Sequence, residues 1–356
     1  MARPSGIPRA YSVAVLQCLG TDLFVAAGME RDKAETVARL LVLTDAMGRR
    51  THGLAMADLY LKDLAKGALI GQGAPTVLRD NGISAVWDGN YLPGLWLVNQ
   101  AIEQGMARAA QHGLCAFAIR KSHHIGCLAA LTQQAADHGF VALIANSDPS
   151  GKRVAPYGGT EALFTPNPIA MGYPAGAHPV LVDMCASITT TSMTRQKVAE
   201  GQPFDHPWLL DHTGQPTTDA RVLEHTEPRG SLQLVGGLEY GHKGFGLALM
   251  IEALSQGLAG HGRADAPTRW GGNVFVQVID PELFGGRNAF ETQTRHLADR
   301  ARANRPIDPA RPVRLPGDQA YASQQTAARE GIHFDARVWA MLAQWAQQLG
   351  VNLPAG

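Results

Sequence analysis

Short apolar runs alternate with longer segments of helical period through the middle of the chain, and this alternation most restricts the fold. The runs lie at 115–120 (CAFAIR), 141–147 (VALIANS), 169–174 (IAMGYP), 179–184 (PVLVDM) and 273–280 (NVFVQVID). Each is the length of a buried strand, too short for a buried helix. Helical period runs between or beside them at 97–113 (LVNQAIEQGMARAAQHG) and 243–260 (KGFGLALMIEALSQGLAG). The stretch 71–90 has Gly, Pro and Asn punctuation around β-branched residues and reads as strands and turns. The pattern predicts an α/β centre, with helices at both ends.

At the N-terminal end, residues 8–70 read as helical, with Asp32 as an N-cap. Met56, Leu59, Tyr60 and Leu64 share one face of a later helix in that stretch. After about residue 288 the pattern is helical again, broken by the proline-rich 302–318 (RANRPIDPARPVRLPGD). The expected division is a helical segment 1–75 packing with 290–356, and an α/β domain over 76–289. The 356 residues suffice for such an arrangement.

The sequence holds no GxGxxG. Gly71 and Gly73, Gly244 and Gly246, and Gly260 and Gly262 form GxG pairs that lack the third glycine. A dinucleotide bound by this chain is therefore not expected at a Rossmann turn.

Charge and cysteine usage remove other classes. Lys plus Arg number 31 and Asp plus Glu number 31, so the basic excess of a nucleic-acid binder is missing. The best candidate for a membrane span, 244–260, contains Glu252. Gln17 and Asp22 interrupt the first apolar stretch, which argues against a secretory signal. Cys18, Cys115, Cys127 and Cys185 are far apart and form no CxxC pair. A zinc cage and a disulfide framework are not expected, and a cytoplasmic location is.

Five segments hold residues that can do chemistry. In GRRTHGL (48–54), Thr51 and His52 place a hydroxyl and an imidazole side by side, and histidine exchanges protons near neutral pH. The plain structural alternative is a capping Thr and a surface His. RKSHHIGC (120–127) is a polar turn after a strand, where backbone N–H groups can meet a phosphate. Neighbouring histidines diverge on a strand and lack a nearby carboxylate, so no metal site is expected there.

Asp183 ends an apolar run, where it can orient a histidine or cap the next helix. His242 and Lys243 sit in a glycine-rich helix start, GHKGFGL (241–247), which suits either a phosphate or tight packing. Arg314, Pro316 and Gly317 form a turn carrying a cation.

Taken in order, THG near 51, SHHIG near 123, PNPIA near 167, VDM near 183, GHKGFGLAL near 243 and RLPGD near 315 resemble the type-2 malate/lactate dehydrogenase family. That family is similar to ureidoglycolate, sulfolactate, diketogulonate and Δ1-piperideine-2-carboxylate reductases. The resemblance spans about residues 8–335 and implies a non-Rossmann malate/L-sulfolactate dehydrogenase-like α/β fold. Its central sheet is mixed, with helical N- and C-terminal segments.

The resemblance also implies roles. His52 matches the family proton donor, with Thr51 where the family has serine, and Asp183 matches the aspartate that works with it. His124, Ile125, Gly126, Cys127 and Leu128 match a cofactor-contacting turn, as do His242, Lys243, Arg314, Pro316 and Gly317. Asn167 matches a substrate-side loop, although Pro166 replaces the usual threonine.

The implied reaction is hydride transfer between NAD or NADP and a 2-oxo/2-hydroxy carboxylate, in an intertwined homodimer. Reduction of a cyclic ketimine carboxylate, or N-alkyl amino-acid dehydrogenation, is the alternative. One departure stands out. The family arginine that grips the substrate carboxylate is replaced by Met56, leaving Arg49 and Arg50 as the nearby cations.

Overall fold

The computed structural model describes residues 10–224 and 228–354. Residues 8 and 9, where helical pattern was expected to begin, lie outside this range. The chain opens with strand β1 (Ala10–Tyr11), then helices α1 (Val13–Ala26), α2 (Arg31–Ala46) and α3 (Ala57–Ala65). Ser12 caps α1 by accepting the Val15 amide hydrogen. The expected cap of α2 is corrected. Glu30 is the N-cap residue and makes no side-chain capping bond, while Asp32 lies in the first turn. A carboxylate there still favours the helix dipole. On α3 the buried residues are Ala57, Tyr60 and Leu61, whereas Leu59 is exposed.

The next elements are β2 (Thr76–Asp80), β3 (Ser84–Asp88), α4 (Gly94–His112), β4 (Leu114–Ser122), α5 (Leu128–Asp137), β5 (Val141–Ser147), β6 (Pro168–Tyr173) and β7 (Val180–Cys185). After α6 (Thr191–Glu200) the short strands β8 (Leu209–Leu210), β9 (Pro216–Thr217) and β10 (Ser231–Leu232) form a small sheet. Then come α7 (Gly237–Glu252), β11 (Gly272–Ile279), α8 (Arg287–Arg302), α9 (Asp318–Glu330), β12 (Ile332–His333) and α10 (Ala336–Leu349).

The main sheet has the order β2-β3-β4-β11-β5-β6-β7. Within it β3 and β4 are parallel, joined through α4, and the other neighbours are antiparallel. A doubly wound dinucleotide fold is built from parallel strands, so this is a different architecture. β1 and β12 pair antiparallel and bring the two ends of the chain together.

The sheet separates two apolar layers, and strand alternation decides which residue enters each. Cys115, Phe117 and Ile119 of β4, Ala142 and Ile144 of β5, and Val274, Val276 and Val278 of β11 face one layer, shared with α1, α2, α4, α5 and α10. Ala145 and Phe275 face the other, with Val154, Phe164, Leu209 and Ile251. The helical ends therefore share a continuous core with one sheet face. α9 packs on α2, and α10 packs on α1 and α3. Among the described residues no helix is long and apolar enough to cross a membrane.

Candidate active site

The turn between α2 and α3 carries the THG segment and is closed by its own backbone. Gly48 N donates to Asp45 O, Arg49 N to Thr44 O, His52 N to Arg49 O and Met56 N to Gly53 O, at 2.9–3.0 Å. Two short 3-10 turns, Arg50–His52 and Leu54–Met56, result. His52 is half-buried, and its Nδ1 lies 3.0 Å from Thr51 Oγ1. Burial lowers its pKa from the usual histidine range; the charge of Asp183 opposes that shift and Arg49 adds to it.

His124 stacks beside His52, with ring centroids 6.0 Å apart. Its Nδ1 accepts the Gly126 amide hydrogen at 3.3 Å and lies 2.8 Å from the Tyr60 hydroxyl. An imidazole nitrogen that accepts a backbone N–H holds no proton, so the network assigns the His124 proton to Nε2. Burial first, then the nearby histidines, push the His124 pKa down to about 3. It is a neutral donor at physiological pH.

His123 turns the other way. It lies in an edge-on contact with Tyr60 and Trp270, and its Nε2 is 3.0 Å from Asp63 Oδ2. The expectation that no carboxylate lies near this pair is therefore corrected, since Asp63 arrives from α3. Trp270 is 41% exposed and stacks 6.3 Å from His124, which places an aromatic surface at the rim of the pair.

Asp183 projects from β7, and its Oδ2 accepts the Ala129 amide hydrogen at 3.0 Å and the Cys127 thiol at 3.6 Å. It thus caps α5, an earlier helix than sequence order suggested. α6, the next helix, is capped by Thr190. Asp183 reaches His52 through its charge, and its hydrogen bonds go elsewhere. Burial and the Asp183 charge push the Cys127 thiol up to about 12, so it stays protonated.

The remaining expected residues divide by exposure. Ile125, Cys127 and Leu128 are buried, and Gly126 has φ of 63° above the Leu95 side chain, where a Cβ would press on Leu95. Asn167 is 0% exposed. Its Nδ2 donates to Glu252 Oε1 at 2.9 Å and its Oδ1 accepts from Thr165, so its side chain serves an internal network with Ser147 and Arg263. Met56 is half-buried against the main core.

Arg49 and Arg50 are exposed; the charge of Arg49 bears on His52 and that of Arg50 on Asp45. His242 and Lys243 are exposed in the second turn of α7 and not at its start as expected, because the helix begins at Gly237, and Lys243 Nζ lies 5.2 Å from the Tyr240 ring centroid. Pro316 O accepts the Leu181 amide hydrogen at 3.0 Å, so the Arg314–Gly317 turn lies on the free edge of β7, close in chain to Asp183. Asp318 secures this turn by accepting from Leu315 N and from Arg302.

A family model described as malate/L-lactate dehydrogenase matches residues 11–343. The chain belongs to the malate/L-lactate dehydrogenase family. Hydroxycarboxylate dehydrogenase B of Escherichia coli (strain K12) is 31% identical over 337 residues, covering 92% of this chain and 91% of that protein. A malate dehydrogenase structure from Entamoeba histolytica superposes with a TM-score of 0.91 over 98% of this chain and 100% of that one. At 21% identity that likeness speaks for the fold alone. Δ1-Piperideine-2-carboxylate reductase from Pseudomonas syringae is 27% identical with a TM-score of 0.83, covering 95% of this chain and 100% of that one. The non-Rossmann fold expected from the six segments is the fold of this family.

Sequence reasoning missed Tyr60 as a partner of His124, and also Asp45, Asp63 and Trp270. Tyr60 lies eight residues beyond His52, on α3, which follows the turn. The others become neighbours only through the tertiary fold.

Proposed function

We propose that the chain transfers a hydride between a nicotinamide dinucleotide, NAD or NADP, and a 2-hydroxy/2-oxo carboxylate. The observation that carries this reading is the juxtaposed pair of histidines with opposite properties. His52 is half-buried between the charges of Asp183 and Arg49, where it can gain and lose a proton. His124 is held neutral, with its Nε2 proton available for donation.

The groups expected around a dinucleotide suit one. α7 starts without a side-chain cap after Gly236, whose φ is 97°, and presents exposed His242 and Lys243. Uncapped N–H groups and a cation match the chemistry of a pyrophosphate. Lys243 and the Arg314 turn would hold the dinucleotide. When bound, it supplies or takes the hydride.

The chain's own residues do the rest. In reduction, protonated His52 gives its proton to the oxygen of the former carbonyl. Asp183 favours the protonated form by its charge, and Thr51 Oγ1 restrains the ring at Nδ1. His124 would offer its Nε2 proton to an oxygen of the substrate. In oxidation, neutral His52 takes the hydroxyl proton.

The same machinery can protonate an amine nitrogen. The likeness to Δ1-piperideine-2-carboxylate reductase supports cyclic ketimine reduction as the second reading. The exposed Leu249 and Met250 of α7 support a homodimer. Oxidation of NADH and NADPH, followed with a panel of 2-oxo acids and cyclic imines, tests both readings. Turnover of a 2-oxo acid is the expected result, and inertness toward every member would reject hydride transfer to these classes.

A further inference from the structure

Asp45 lies on the last turn of α2, and its side chain is buried although it belongs to an acid. Its Oδ2 accepts the Leu54 amide hydrogen at 2.7 Å. Its other oxygen lies against the Cα of Gly53, where any Cβ would overlap the carboxylate. The carboxylate therefore grips the chain at the two residues that follow His52. The backbone bond from Gly48 N to Asp45 O closes the same loop from its other side. A glycine at 53 and an acceptor at 45 are matched parts of one brace.

We propose that Asp45 is a positioning residue that fixes the His52 turn, and that its ionisation adjusts the set of that turn. The proposal rests on the reading of His52 as the proton-transfer residue, and extends it to the support behind that residue. A neutral carboxylic acid and a carboxylate hold the Leu54 amide differently, because an ionised acceptor makes the stronger bond.

Burial pushes the Asp45 pKa up to about 7, against the Leu54 hydrogen bond and the charge of Arg50, which lower it. Arg50, on the 3-10 turn, is the charged group whose charge bears on it. The carboxyl thus changes charge near neutral pH.

The folded pKa lies above the unfolded value of 3.8, so the contribution to stability is fully present below pH 3.8 and is lost as pH rises through about 7.

The test uses the full-length protein in three forms: wild type, Asp45→Asn and Asp45→Ala. The His52 ring resonance is followed by NMR against pH, together with kcat, KM for the dinucleotide and thermal melts. In wild type the His52 resonance is expected to show its own titration and a second inflection near pH 7. Asp45→Asn keeps an acceptor for Leu54 N, so kcat should stay within about fivefold while the second inflection disappears. Asp45→Ala should lower kcat by at least tenfold with KM for the dinucleotide within twofold.

A persisting second inflection in Asp45→Asn overturns the proposal. So does a folded Asp45→Ala protein with wild-type kcat. If Asp45→Ala does not fold, the Asn resonance decides. The NMR result is independent of turnover, so a failure of the proton-transfer reading, seen as undiminished kcat in His52→Ala, is distinguishable from a failure of the brace.

Discussion

The hydroxyl of Tyr60 meets Nδ1 of His124 at 2.8 Å, and the Gly126 amide approaches the same nitrogen at 3.3 Å. Two donors on one nitrogen leave the imidazole a single neutral tautomer. The residue can then offer Nε2–H to a ligand without competing with His52 for a proton. Two histidines 6.0 Å apart are thereby given separate tasks.

Removing one of the two donors should loosen that assignment without abolishing it. Tyr60→Phe loses a hydrogen bond of about 0.5–1.5 kcal/mol, and turnover should fall by roughly two- to tenfold. The Gly126 donor remains, so 15N spectra should still show His124 protonated at Nε2. An Nδ1-protonated His124 in wild type would contradict the network.

His52→Ala should cut turnover by roughly 10²–10⁴-fold while leaving dinucleotide affinity nearly unchanged. The pH profile carries a sign. The His52 pKa is lowered, so its limb lies below the ordinary 6.5. Oxidation needs neutral His52 and should gain rate as pH rises through that limb; reduction needs the protonated form and should lose rate. Steady-state rates in both directions across pH 4–9 read this out, and a limb above 6.5 in the free enzyme would contradict the burial argument.

What could be read in the sequence follows from the range of the interactions involved. The strands at 115–120, 141–147, 169–174, 179–184 and 273–280 were visible because alternation and length are local properties. Their order was not, because it depends on pairings such as Val274 with Ile119 and Asn146, far apart in the chain. His52 and Asp183 stood out as polar residues in telling places. Only the fold shows that Asp183 caps α5, because Ala129 approaches from another strand crossover. Asp32 looked like a cap because its residue type favours caps. The helix begins two residues earlier than that cap would set it, with Glu30 engaged by Lys33 and the Gly73 amide. Leu59 looked internal because it follows Met56 by three residues, but the buried face of α3 carries Ala57, Tyr60 and Leu61 and turns Leu59 outward.

Asp183→Asn separates its two duties. The amide oxygen can still accept from Ala129 N, so α5 keeps its cap and the protein should remain folded. The charge that favours protonated His52 is lost. An opposite charge nearby shifts a pKa by about one to three units, so reduction at pH 7 should fall by about one to three orders of magnitude. The loss should shrink as pH is lowered and His52 is protonated again. A deficit of the same size at every pH would assign Asp183 to the helix cap alone.

The last expectation concerns the substrate carboxylate. Met56 packs on the main core, and Arg49 is the exposed cation whose charge bears on His52. A charge-assisted contact is worth about 1.5–3 kcal/mol, or roughly one to two orders of magnitude in binding. Arg49→Ala should therefore raise KM for a 2-oxo acid by about tenfold or more, with KM for the dinucleotide little changed. Arg49 is the cation whose charge bears on His52, and Trp270 is exposed at the rim, so an apolar group beyond the carboxylate meets an aromatic surface. Phenylpyruvate should accordingly exceed oxaloacetate in kcat/KM. Met56→Arg should shift the ratio toward oxaloacetate if position 56 can reach the pocket. Because Met56 packs on the core, the shift should be smaller than the loss caused by Arg49→Ala. Kinetics of both substrates with wild type, Arg49→Ala and Met56→Arg decide the matter. Wild type preferring oxaloacetate, or an unchanged KM in Arg49→Ala, would show that the carboxylate is held elsewhere.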